Sequence, residues 1–125
     1  MITYLYTDRD KFLQDGKNFK FAISGKGGKT YAVEQLPKSA IETLRIGSSI
    51  SFKVGMATCS PKDNFSKKIG RELAEKNMQY LEFKVTKITL TEGRADVQLN
   101  SDKFQVELFI KEDKEFTRID YVHQE

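Results

Sequence analysis

One stretch of the chain, residues 60–77 (SPKDNFSKKIGRELAEKN), has the pattern of a long helix. Ser60 is a favourable N-cap residue, Pro61 suits the first helical position, and the acidic Asp63 follows within the first turn. The sequence therefore predicts a main helix that is capped at Ser60. The rest of the chain must provide a surface against which this helix packs.

The predicted helix carries three rows of side chains, spaced at about 100° per residue. An apolar row consists of Phe65, Ile69 and Leu73. A small row beside it consists of Ser66, Gly70 and Ala74. The basic row on the opposite side consists of Asn64, Lys67, Lys68 and Arg71. We expect the apolar and small rows to pack on the rest of the chain and the basic row to face outward.

Four segments with the composition of strands precede the helix: residues 2–7, 18–24, 29–35 and 48–58. The glycine-rich run 25–28 separates the second segment from the third, which predicts a β-hairpin with its tip at these glycines. A short amphipathic helix is expected over residues 39–46, where Gly47 ends it.

Beyond Asn77 the pattern changes to period two, with four strands predicted at residues 79–90, 94–100, 103–111 and 115–122. A slip in the alternation near Lys87 indicates a bulge. We expect the aromatic residues of these strands to lie mainly in the core, with Tyr80 and Tyr121 the most exposed. The predicted fold is α+β: a strongly curled antiparallel meander, one main capped helix packed on it and a short second helix.

Composition favours a single domain that spans residues 1–125, because no repeat or linker-like tract divides the chain. The net charge of +3 is a mild excess that permits a phosphate-bearing partner without requiring one. Cys59 is the only cysteine, which rules out a disulfide within the chain and favours a reducing compartment. No apolar run reaches the ~20 residues of a membrane span, and we expect a cytoplasmic protein.

Residues 24–30 (SGKGGKT) contain a Gly-Lys-Thr but depart from a phosphate-binding P-loop. A P-loop has a glycine where this chain has Ile23, and it opens a helix rather than the strand predicted here. These residues are interpreted as a hairpin tip. The alternative is that Lys26, Lys29 and nearby backbone N–H groups form an anion-binding nest.

The basic row supports two interpretations, a solvated helix side or a docking surface for phosphate or an acidic protein. In the second interpretation Arg71 is the bidentate group, Lys67 and Lys68 are point charges, and Asn64 adds a polar contact.

The sequence gives little support for an enzyme. Cys59 lies just before the predicted helix N-terminus, where the pKa of a thiol can fall, but His123 is the only histidine and lies near the end of the chain. One cysteine and one histidine provide no zinc cluster, and no pair of carboxylates is singled out. We therefore predict no catalytic residues, no metal and no cofactor; a small enzyme with Cys59 as nucleophile is an alternative.

The run 55–65 (GMATCSPKDNF), followed by Gly70, Arg71 and Ala74, resembles a pattern of small accessory proteins of bacteriophages. That pattern is G-x-A-x-C-x-P-x-D-x-F and then G-R-x-x-A, and the match covers about twenty residues. The resemblance implies a phage protein that acts in the host cytoplasm by binding.

Three functions follow from these observations. The first is a non-enzymatic protein that counters host defence, by blocking a host defence protein or by sequestering a phosphate-bearing nucleotide signal between protomers of an oligomer. The second is a nucleic-acid-binding module that uses the basic row and the glycine-rich hairpin, and the third is the cysteine-dependent enzyme.

Overall fold

The structure is a computed structural model that describes residues 1–7, 26–64 and 66–124. The chain divides into two compact units. Unit 1 comprises Met1–Thr3, Glu34–Lys53 and Tyr80–Glu125, and unit 2 comprises Tyr4–Val33 and Val54–Gln79. The single domain expected from the sequence stays a prediction.

The described residues form seven strands and two helices. In chain order these are β1 (Ile2–Thr7), β2 (Lys26–Glu34), α1 (Lys38–Glu42), β3 (Ser49–Asn64), α2 (Lys67–Lys76), β4 (Gln79–Thr91), β5 (Arg94–Asn100), β6 (Phe104–Lys111) and β7 (Arg118–Gln124). The strands follow one another in chain order within one sheet. The β2–β3, β4–β5, β5–β6 and β6–β7 pairs are antiparallel. The expected antiparallel meander and the short second helix are confirmed, and the described residues are mostly sheet. The α+β class with one main capped helix, and the strong curl of the sheet, stay predictions.

The four strands of unit 1 after residue 78 match the period-two pattern closely. The register of β4 against β5 shifts between Val85 and Lys87, which confirms the predicted bulge. Gly93, with φ of 72°, turns β4 into β5, a conformation that glycine adopts without strain. Tyr80 and Tyr121 are exposed as predicted, at 62% and 40% of their surface, but Phe116, which was expected in the core, is 46% exposed.

The core of unit 1 is built from the inward residues of these strands. Val97 lies opposite Leu108, and Leu99 lies opposite Val106, and all four side chains are buried. Pairs of branched aliphatic side chains across neighbouring strands stabilise a sheet of this kind. The rings of Phe52 and Phe83 stack with centroids 4.2 Å apart, so aromatic residues fill the core as the sequence predicted.

The predicted hairpin tip at the glycine-rich run is wrong for residues 26–28, because these residues belong to β2. Lys26 pairs with Asn64 and Gly28 pairs with Cys59, so two steps along β2 are matched by five along β3. Gly28 has a φ of 104°, and its glycine character serves this irregularity in the ladder rather than a turn. The predicted strand over residues 18–24 lies outside the described residues.

The predicted start of the main helix at Ser60 is also wrong. Strand β3 continues to Asn64, and α2 begins at Lys67 with Ser66 as its N-cap. The Ser66 hydroxyl oxygen accepts a hydrogen bond from the backbone N–H of Ile69 at 3.3 Å. Pairing with β2 holds this stretch as a strand, and Pro61 lies where the ladder is irregular, a position that tolerates a missing N–H donor.

Candidate functional site

The small row of α2 is the face that packs in unit 2, as the sequence predicted. Ala74 is completely buried. A Cβ atom added at Gly70 would meet the side chain of Thr30 on β2, whose own Cβ lies 3.1 Å away. A Cβ added at Gly55 on β3 would clash with the backbone carbonyl of Ala74 and would lie 2.7 Å from the backbone nitrogen of Met78. Small residues on both sides therefore bring α2 into direct contact with the strands.

The apolar row does not pack as expected. Ile69 is 58% exposed and Leu73 is 45% exposed; Phe65 lies outside the described residues. Because the small row is the contact face, the neighbouring apolar row lies on the flank of the helix. The two aliphatic side chains, one turn apart on α2, form an exposed apolar pair that the sequence pattern assigned to the core.

Two members of the basic row lie over tyrosine rings of β1. The Lys67 ammonium is 5.1 Å from the centroid of the Tyr6 ring, and the Arg71 guanidinium carbon is 5.8 Å from the centroid of the Tyr4 ring. Tyr4 and Tyr6 are two residues apart and share a face of β1, while Lys67 and Arg71 are one helical turn apart. The cations are therefore positioned by cation–π contacts, and Lys68 is exposed beside them.

The other predicted site residues lie on the β2–β3 pair of unit 2. The backbones of Lys26 and Asn64 are partners in the ladder, and Asn64 is the last residue of β3. Lys29 lies opposite Thr58 and is partly buried. The combined ligand or partner site of these residues with the basic row stays a prediction.

Cys59 does not lie beside a helix N-terminus, which is where the sequence placed it. It lies within β3, opposite Gly28, with its side chain partly buried. The helix N-terminus on which the cysteine-dependent alternative rested is therefore not beside Cys59. His123 lies on β7, where its ring stacks with that of Tyr121 at 6.1 Å between centroids.

Unit 1 contains a cleft of about 710 Å³ that sequence reasoning missed. Phe116 and Arg118 line it, together with the cation Lys111 and the amide Gln35. The lining residues come from separate parts of the chain, and no local sequence motif predicts the cleft. The only sequence signal is Phe109 on β6, because its side chain falls on the face of the strand opposite to that of the core residues Val106 and Leu108.

Phe109 lies on the face of β6 that points away from the core, yet its side chain is only 3% exposed. The guanidinium carbon of Arg94 lies 3.8 Å from the centroid of its ring, and that of Arg118 lies 5.5 Å away. Arg94 also donates from Nε to Asp96 at 2.8 Å, and this hydrogen bond raises the pKa of the guanidinium. The outer face of unit 1 therefore carries an aromatic ring beneath two fixed cations.

No protein-family model, curated protein sequence or solved structure matches the chain. The resemblance to small bacteriophage accessory proteins therefore stays a prediction. In the structure, three positions of that pattern, Gly55, Gly70 and Ala74, lie at the contacts of α2 with β2 and β3. Neither helix of the described residues has the length and the apolar character to cross a membrane.

Proposed function

We propose that this chain is a non-enzymatic binding protein that docks helix α2 on an acidic, partly apolar surface of another protein. The single observation that carries the proposal is the exposed pair Ile69 and Leu73 on a helix that is fixed by its small row and carries the basic row on its opposite side. Following the resemblance to phage accessory proteins, the partner is a bacterial defence protein whose activity the binding blocks.

The exposed pair supplies the apolar part of such an interface. Ile69 and Leu73 have the i, i+4 spacing with which a helix inserts anchors into a groove. Full burial of an aliphatic side chain of this size contributes about 1.5–3 kcal/mol, and part of this remains to be gained at residues about half exposed. Two such anchors match the small number of residues that dominate most protein interfaces.

The basic row supplies the charge. Lys67 and Arg71 already lie over Tyr6 and Tyr4, so less side-chain freedom is lost when they meet a partner. Complementary charge mainly raises the association rate and the specificity, which suits three exposed cations on the helix that carries the apolar pair.

A phosphate-bearing nucleotide signal and a nucleic acid are the alternative partners. Both would use Lys67, Lys68 and Arg71, but neither requires the aliphatic pair Ile69 and Leu73. The exposure of that pair is the reason for favouring a protein. Binding to nucleic acid would in addition weaken steeply with salt, because each neutralised phosphate releases counterions.

The test is affinity capture from nuclease-treated bacterial lysate, read out by quantitative mass spectrometry. The wild-type chain is compared with Ile69→Ser and Lys68→Glu, and with matched exposed controls in unit 1, Leu90→Ser and Lys84→Glu. We expect one polypeptide to be enriched by the wild type and both controls and to fall about tenfold or more with either α2 variant.

Two results would reject the proposal. Equal enrichment by all five proteins would remove α2 from the interface. Capture from a parallel lysate without nuclease, but not from the nuclease-treated lysate, would assign the basic row to nucleic acid.

A further inference from the structure

We infer that the cleft of unit 1 is a binding site for a small aromatic phosphate of the nucleoside monophosphate class. This site is separate from α2 and does not depend on the protein partner proposed above. Its volume of about 710 Å³ falls within the range of about 300–1,000 Å³ that is usual for small-molecule sites.

The rim of the cleft is held in place by the chain itself. The connection between β6 and β7 is tied to the start of α1: Lys38 N–H donates to the Glu115 carbonyl at 2.7 Å, and the Lys38 ammonium donates to the Glu112 carbonyl at 2.9 Å. Both the backbone N–H and the hydroxyl of Thr117 donate to the Leu36 carbonyl, at 3.0 and 3.1 Å. A rim fixed by four hydrogen bonds loses little freedom when a ligand binds.

The floor of the cleft offers two cations for a phosphate. Phe109 and Lys111 share one face of β6, and Arg118 of β7 is the cross-strand partner of Phe109. Among the described residues neither Lys111 nor Arg118 forms an ion pair. An arginine fork beside a lysine point charge is a suitable pair for a phosphate group.

The rim also carries two carboxylates, Asp113 and Glu115, together with the cation Lys114. These carboxylates repel an anion near the β6–β7 connection. The phosphate is therefore directed to the sheet floor, beside Lys111 and Arg118, and the aromatic part of the ligand is directed to the rim.

Phe116 provides the surface for that aromatic part. Its ring lines the cleft and is 46% exposed, although its backbone is fixed by a bridge to Pro37. A half-exposed ring on a fixed backbone is a stacking platform for a base, and such stacking contributes about 1–3 kcal/mol per base.

The side chain of Gln35 provides a second, independent observation that points to a ligand. Its side chain lines the cleft, and its Oε1 atom is buried with no hydrogen-bond partner among the residues that the structure describes. A buried amide oxygen without a partner is unfavourable by about 1–3 kcal/mol, so the Gln35 side chain gains a hydrogen bond when it turns into the cleft toward a donor on the edge of a base. The site thus combines a stacking ring, a hydrogen-bonding amide and a cationic pair.

The probes are adenosine monophosphate, adenosine and inorganic phosphate, titrated into the full chain by isothermal titration calorimetry. Backbone amide shifts in NMR spectra report where each probe binds. We expect adenosine monophosphate to bind at least about tenfold more tightly than adenosine or phosphate alone, because it uses both halves of the site. The amide shifts should concentrate at Gln35 and residues 111–118.

The variants separate the two halves of the site. Phe116→Ala should weaken adenosine monophosphate about tenfold and leave the weak binding of inorganic phosphate unchanged. Lys111→Gln should weaken both phosphates by about tenfold and leave adenosine unchanged. The matched controls, Tyr80→Ala for an exposed ring and Lys84→Gln for an exposed cation, should stay within about twofold of the wild type.

Three results would overturn the inference. The first is the absence of saturable binding at millimolar adenosine monophosphate. The second is equal affinity for adenosine and its monophosphate, which would exclude the phosphate contact. The third is amide shifts at α2 rather than at the cleft, which would place the nucleotide on the basic row.

Discussion

Gly55 is a residue at which the backbones of β3 and α2 come into direct contact in unit 2. A Cβ atom at this position would meet backbone atoms of Ala74 and Met78, and backbone cannot rotate away as a side chain can. We predict that Gly55→Ala lowers the free energy of unfolding by about 1–3 kcal/mol, the usual cost of overpacking a core. Chemical denaturation measures the change. Thr58→Ala, an exposed substitution on the same strand, is the control and should stay within about 0.5 kcal/mol of the wild type.

Thr30 presents the opposite case, a buried polar group without a satisfied hydroxyl. Its side chain is 1% exposed, and Oγ1 has no hydrogen-bond partner within the described part of the chain. Thr30→Val keeps the shape and removes the hydroxyl, so we predict an increase of about 1 kcal/mol in the free energy of unfolding. A decrease, measured by the same denaturation, would show that the hydroxyl has a partner.

Among the secondary-structure elements, the N-cap of α2 offers the sharpest test of where a helix begins. The Ser66 hydroxyl accepts the N–H of Ile69, and loss of such a cap costs about 0.5–2 kcal/mol. We therefore expect Ser66→Ala to destabilise the protein by about 1 kcal/mol in urea denaturation. Ser60→Ala should not lose a helix cap, because the backbone at Ser60 belongs to β3. The reverse order of the two effects would restore the helix start that the sequence predicted.

We expect the residues of the basic row of α2 to differ in how much they contribute to the stability of the fold. Lys67 lies over the Tyr6 ring, so Lys67→Ala should destabilise the fold by about 0.5–1 kcal/mol, the usual strength of an exposed cation–π contact. Among the described residues no aromatic ring lies beneath Lys68, and Lys68→Ala should leave stability unchanged. Thermal unfolding in parallel measures both variants. Equal effects would mean that the tyrosine contacts do not hold Lys67.

At the level of elements, the meander after residue 78 was predictable because one face is buried and the other is solvated. This arrangement produces strict alternation, and even the bulge at Val85–Lys87 was visible as a slip. The start of α2 was not predictable in the same way. Ser60 with Pro61 and Ser66 both have cap chemistry, and the pairing of β3 with β2, a contact distant in sequence, decides between them.

For the whole molecule, the sequence identified the small row correctly but not the position of the apolar row. The 3.6-residue period shows which side chains share a side of the helix, yet it does not show which side faces the strands. The contact of Gly70 with Thr30 and the clash that a side chain at Gly55 would cause decide that orientation. The cleft of unit 1 was unpredictable for a related reason, because Gln35 and Phe116 come together only in the folded unit.

If α2 is an interface with another protein, photocrosslinking from its exposed apolar pair should capture that partner in living cells. A photoreactive p-benzoylphenylalanine replaces Ile69 in α2 or, as a control, Leu90 in unit 1, and both positions are exposed. Bacterial cells that express either protein are irradiated, and the products are identified by mass spectrometry. We predict one crosslinked bacterial polypeptide from position 69 and none from position 90. No product from position 69, or the same product from both positions, would contradict it.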